Sequence, residues 1–126
     1  MSADPHIFKN KIEKNYQNAI FVCTHDDIRC DGLMEKNEIS ANKRNGIHVT
    51  GFNNFPRIIG NTFIQYNKLA GIRVDNGAHC SILRNSVSKN LGQVITNIRR
   101  KIKSIREFWL WKQQVLILKR ILCLKI

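Results

Sequence analysis

The chain lacks three things that would place it outside the cell or across a membrane. No stretch approaches the roughly 18 apolar residues needed to span a bilayer, which excludes a transmembrane helix. Fourteen asparagines occur without one Asn-x-Ser/Thr sequon, compatible with a chain that never enters the secretory path. Met1-Ser2-Ala3-Asp4-Pro5-His6 has no basic stretch leading into an apolar run, so a signal peptide is not expected. Cysteine is also sparse: Cys23, Cys30, Cys80 and Cys123 do not show the dense, paired spacing of a secreted disulfide framework. A reduced setting, cytoplasmic or nuclear, is the expectation. Acidic residues are few, 9 against 21 Lys and Arg, for a net charge of +12. That excess is uneven: residues 1–98 carry a net of +4 and residues 99–126 a net of +8. A hydrophobic fraction of 43% is enough to build a core and argues against wholesale disorder.

What the chain does have is a phrase that recurs. Asn37-Glu38-Ile39-Ser40-Ala41-Asn42 is followed by Gly46-Ile47-His48-Val49, and Asn61-Thr62-Phe63 through Asn67 by Gly71-Ile72-Arg73-Val74. With the first asparagine of each copy as reference (Asn10, Asn37, Asn61, Asn85), Ile7, Met34, Ile58 and Ile82 stand three residues earlier. Ile12, Ile39, Phe63 and Val87 stand two later, and the second asparagine is Asn15, Asn42, Asn67 or Asn90. Beyond it come Ala19, Gly46, Gly71 or Val94, then Ile20, Ile47, Ile72 and Ile95, then Val22, Val49 and Val74. At Asn97 the pattern stops. The copies are 27, 24 and 24 residues apart, and an extra residue between Asn61 and Asn67 predicts a small bulge. Periods in this range signal a repeat architecture.

Within each copy apolar residues alternate, as in Ile47-x-Val49, which is the period of a strand. The intervening Asn and Gly suit corners, because they tolerate positive φ and local hydrogen bonds. Short strands joined by corners predict an all-β solenoid: a short parallel β-helix of about four rungs over residues 6–97. Identical residues then stack, Ile20, Ile47, Ile72 and Ile95 inside and asparagine ladders at the turns. A leucine-rich repeat shares the period, but its Leu-x-x-Leu-x-Leu spacing is absent and no helix fits in each copy.

These phrases resemble right-handed parallel β-helix repeats of the pectate-lyase-like superfamily, in the style of the β-helix region of F-box-only proteins. The resemblance covers residues 6–97. It implies a binding platform, of the kind thought to receive substrates for a ubiquitin ligase. No F-box is visible, so ligase-adaptor activity does not carry over. It equally implies a link to polysaccharide lyases and hydrolases, whose sites are Asp clusters with Lys or Arg on one exposed sheet.

Chemistry of that second kind needs paired carboxylates or acidic calcium ligands. Asp26, Asp27 and Asp31 are close in sequence but do not recur in the next rung, so they read as a solvated loop. Cys23, His25 and Cys30 lack a fourth ligand and match no strong zinc pattern; Cys30 and Cys80 read as small hydrophobes beside inward strand residues. No nucleophile–base pair, phosphate loop or dinucleotide fingerprint is present. The expectation is a non-enzymatic, cofactor-free protein-binding scaffold, the alternative a carbohydrate-binding or carbohydrate-active β-helix fragment. Phe21, His48 and Arg73 share an outward column with Thr96 and form the candidate contact surface. A protein partner is expected; nucleic acid and a small-molecule substrate are not.

Residues 98–126 contain neither Gly nor Pro. Ile98, Ile102, Ile105 and Trp109, and Phe108, Trp111, Val115, Leu118 and Leu122, sit at helical spacing. They predict a basic amphipathic α-helix that caps the last rung, binds an anionic membrane or acidic partner, or is a tail foreign to the fold. The abrupt end of the repeat leads us to expect a truncated form of a longer protein.

Overall fold

The computed structural model describes residues 2–25, 28–52 and 54–92. The first turn consists of β1 (Ser2–Ala3), β2 (His6–Phe8), β3 (Lys11–Glu13) and β4 (Ile20–Cys23). The second repeats it with β5 (Arg29–Cys30), β6 (Leu33–Glu35), β7 (Glu38–Ser40) and β8 (Ile47–Thr50). In the third, β9 (Arg57–Ile59), β10 (Phe63–Gln65) and β11 (Ile72–Asp75) follow, and β12 (Ser81–Leu83) and β13 (Val87–Ser88) begin the next. Equivalent strands pair in parallel into three long sheets, β2-β6-β9-β12, β3-β7-β10-β13 and β4-β8-β11, with β1 on β5. The result is an all-β parallel solenoid of about three turns, and no helix occurs among the described residues. The expected strand at Ile95 and the expected helix over 98–126 lie outside the described residues.

Each sheet sends side chains inward, the first two in one row and the third in two. Met34 pairs with Ile7 and Ile58, Ile39 with Ile12, and Ile47 with Ile20 and Ile72. These rows meet in one core with Val22, Val49, Val74 and Val87, against which Cys30 and Cys80 also pack. One expected column member is wrong. Ile64, not Phe63, pairs with Ile39 and Val87 and is fully buried, whereas Phe63 is level with Glu38. The extra residue of this rung therefore falls in the corner before β10, shifting the strand by one and leaving its pleat intact.

The corners also differ from expectation in which residue bends the chain. The ladder asparagines do not adopt positive φ; the residue before each of them does. Lys9, Lys36, Gly60 and Arg84 precede the first ladder, and Lys14, Ala41, Tyr66 and Lys89 the second, all with φ between 54 and 61°. For residues with a Cβ, that region costs roughly 1–2 kcal/mol each, so the ladder must hold the corner in place. It does so by hydrogen bonding. Asn61 Oδ1 accepts from Asn37 N (3.1 Å) and Asn37 Nδ2 (3.0 Å), and Asn85 Oδ1 accepts from Asn61 N (3.0 Å) and Asn61 Nδ2 (2.7 Å). Asn10 N donates to Asn37 Oδ1 at 3.0 Å in the same way. At the second corner Asn15, Asn42, Asn67 and Asn90 repeat the pattern at 2.9–3.1 Å. A third, shorter ladder joins Asn18, Asn45 and the Ala70 amide, with Asn45 donating back to Asn18.

Gly46 and Gly71 have a packing reason rather than a conformational one. A Cβ on Gly71 would lie 2.6 Å from both Asn90 Nδ2 and Val87 Cγ1, and one on Gly46 2.6 Å from the Gly71 carbonyl oxygen. A Gly71→Ala variant must therefore push the next rung outward. We expect a loss of about 1–3 kcal/mol, measured by urea denaturation; an unchanged midpoint would show that the rungs are loosely stacked.

Candidate functional site

The three residues of the outward column lie side by side across one sheet. Phe21 on β4 pairs with His48 on β8, which pairs with Arg73 on β11. Strand alternation dictates this, since Ile20/Val22, Ile47/Val49 and Ile72/Val74 take the inward positions on the same strands. The Phe21 and His48 rings are in contact, their centroids 5.2 Å apart at a tilt of 54°. Phe21 is 56% exposed.

Asp75, two residues after Arg73 and on the same face, joins them. Arg73 Nε donates to Asp75 Oδ2 at 2.7 Å, and His48 Nε2 lies 3.2 Å from both carboxylate oxygens. Thr50, directly beside Asp75 in the register, hydrogen-bonds it as well. The His48 and Asp75 side chains keep only 17% and 10% of their exposure. The imidazole is thus engaged between the Phe21 ring and Asp75 rather than free in solvent, as a purely outward position would leave it. Burial on its own would raise the Asp75 pKa; hydrogen bonds from Thr50, His48 and Arg73, with the His48 charge, outweigh it and hold the carboxyl below its ordinary 3.8.

The sign follows from the folded pKa lying below the unfolded one. Asp75 stabilises the fold above the ordinary carboxylate value, and that contribution is lost as pH falls through the folded one. An Asp75→Asn variant is expected to be about 1–3 kcal/mol less stable at neutral pH. The difference from the parent shrinks once acid protonates Asp75. Thermal melts across the acid range check this; a gap independent of pH would mean that shape, not charge, matters at this position.

The loop cluster seen in sequence is described only in part. No group of three or more His, Cys, Asp or Glu among the described residues is placed to hold a metal ion, and Asp26 and Asp27 lie outside them. Burial raises the Cys30 pKa, helped by Cys23, Asp31 and Asp4, and pushes the Cys80 thiol up to about 12, so both stay protonated as core fillers. Elsewhere, Phe55 stacks on His79 (5.1 Å, 14°) beneath the Arg29 guanidinium, a column with no counterpart in the sequence repeat.

Stacked parallel sheets, four rows of inward aliphatic side chains and asparagine-laddered corners define the architecture, and a family model describing the right-handed β-helix region matches residues 1–87. The chain belongs to the right-handed β-helix family. Comparison with curated proteins and comparison with solved structures each gave no match. Within a right-handed β-helix the outward side chains between the ladders are the part free to differ from rung to rung, and here they are Phe, His and Arg across one row.

Proposed function

We propose that the chain is a non-enzymatic scaffold that holds a protein partner on the outward face of β4, β8 and β11. The observation that carries this reading is the Phe21–His48–Arg73 row, an exposed aromatic and a guanidinium fixed at either side of a seated imidazole. Rigid aromatic and arginine groups of this kind anchor protein interfaces. Two features weigh against acid–base chemistry at this row. The Asp75 carboxylate is occupied by three donors and its pKa is lowered, which makes it a poor base. The carboxylates on the strands do not stack either: Glu13 is level with Ser40, Glu35 with Phe8 and Ile59, Glu38 with Lys11 and Phe63, and Asp75 with Thr50.

The test is affinity capture from a cell lysate with the parent chain and a Phe21→Ser/Arg73→Glu variant, beside a glycan array. Proteins retained by the parent and lost from the variant support the reading. A glycan signal that the variant abolishes would overturn it in favour of the carbohydrate-binding alternative.

The same reading extends to finer features. Among the described residues β11 has no strand on its outer edge, which supports a fourth rung closed by Ile95. A basic amphipathic helix over 98–126 would then cover that end, or reach an anionic membrane or acidic partner. No helix long and apolar enough to cross a membrane is found among the described residues. We place the scaffold in the cytoplasm or nucleus, on the cysteine and sequon pattern alone.

A further inference from the structure

The solenoid gathers at one corner a set of cations that are scattered in sequence. Between the second and third sheets, rung-to-rung backbone bonds such as Lys43 N to Asn15 O and Lys68 N to Asn42 O fix which residues stack. Lys14, Lys43, Arg44, Lys68 and Lys89 all fall on this edge and are exposed. Adjacent rungs are roughly 4.8 Å apart, so the five charges line a ridge about 15 Å long. None of them forms an ion pair with a carboxylate among the described residues. Glu13, at the end of β3 next to the ridge, is engaged by Lys11 at 3.4 Å. The opposite corner differs, because Glu35 and Glu38 stand among Lys9, Lys36 and Arg84.

Apolar groups interleave these cations. Leu69 and Leu91 are exposed on the ridge, as are Tyr16 and Tyr66. Both tyrosines already carry a cation: the Lys43 ammonium sits 3.9 Å from the Tyr16 ring centroid, and Lys89 lies over Tyr66 and donates to its hydroxyl at 3.3 Å. Rings covered in this way offer a poor platform for stacked bases, while the leucines offer aliphatic contact. The combination fits carboxylates alternating with aliphatic side chains along an extended chain.

We propose that this corner ridge binds an acidic, leucine-bearing extended segment of a protein partner, its carboxylates on the five cations and its apolar side chains on Leu69 and Leu91. The proposal rests on the partner being a protein, but uses a different surface from the Phe21–His48–Arg73 row. Fluorescence anisotropy of the full chain with a dye-labelled peptide alternating glutamate with leucine and serine tests it, with oligodeoxythymidine of equal charge as comparator. Lys43→Glu/Lys68→Glu is expected to weaken peptide binding about tenfold or more. Lys9→Glu/Arg84→Glu, an equal change in net charge at the other corner, should cost less than about threefold. Should the first pair disturb the fold by circular dichroism, Lys43→Gln/Lys68→Gln replaces it with an expected loss of about threefold. Equal losses at both corners, or none at the ridge, would place binding on bulk charge or on residues 99–126 and overturn the proposal. So would tighter binding of the oligonucleotide. Phe21→Ser/Arg73→Glu read in the lysate capture keeps the two surfaces apart, since its failure to lose captured partners leaves the ridge result standing.

Discussion

An Ile47→Asp variant is expected to show no cooperative thermal transition, while His48→Asp, one residue on, folds with a lowered melting temperature. Ile47 is fully buried between Ile20 and Ile72 in the middle turn. Replacing it removes about 2–3 kcal/mol of apolar burial and places a carboxyl where the inward row has no donors. That group must either stay charged in an apolar column or take up a proton, at a further cost of several kcal/mol. The total exceeds about 5 kcal/mol, which is the whole stability of many small domains. In a solenoid the middle turn also supplies an interface to each neighbour, so its loss removes both. His48→Asp leaves the inward row untouched. It sets a carboxylate against Asp75 and removes the bond at 3.2 Å, a cost of about 1–2 kcal/mol. Far-UV circular dichroism with thermal melts separates the two cases. Melting curves that coincide for the pair would mean that the inward and outward rows are misassigned.

Much of this fold is written in the columns. The register of β4, β8 and β11 follows directly from Ile20, Ile47 and Ile72, because every second residue is apolar and a one-residue slip would turn all of them outward. The third rung was less legible. Phe63 and Ile64 are both apolar, so alternation cannot say which faces the core; the place of the extra residue decides it, and that depends on how the Asn61 corner closes. The ladder of Asn18 and Asn45 is faint in sequence because its third member is a backbone amide, that of Ala70, so the column of asparagines stops after two. Asp75 had a signal that was available. It has the same strand parity as Arg73 and stands next to Thr50, which places it on the candidate face once the register is known. The corner ridge had none, since Lys14, Lys43, Lys68 and Lys89 become neighbours only when the turns are stacked. Period and alternation specify the inside of a solenoid; its outside is a product of the register.

The second large effect is expected at Asn61. Its side chain makes four hydrogen bonds in a buried site: Oδ1 accepts from Asn37 N and Nδ2, and Nδ2 donates to Met34 O at 3.0 Å and to Asn85 Oδ1 at 2.7 Å. Asn61→Leu keeps the branched shape and the number of side-chain heavy atoms and removes all four. Each buried group left unpaired costs about 1–3 kcal/mol, so the variant should lose about 5 kcal/mol and sit near the limit of folding. Asn10→Ala, at the exposed start of the same ladder, should lose less than about 1 kcal/mol, because water replaces what is removed. Urea denaturation ranks the two. Amide hydrogen exchange then locates the damage. The Asn37 amide loses its acceptor in Asn61→Leu, whereas the Asn42 amide keeps its own, Asn67 Oδ1 at 3.1 Å. Faster exchange at Asn37 with Asn42 still protected would show that each ladder clamps its own corner, holding strained residues such as Lys36 and Arg84 in place. Equal acceleration at both would instead make the two ladders one cooperative unit. Stabilities matching Asn10→Ala would sink the ladder account, leaving the inward aliphatic rows to hold the turns together alone.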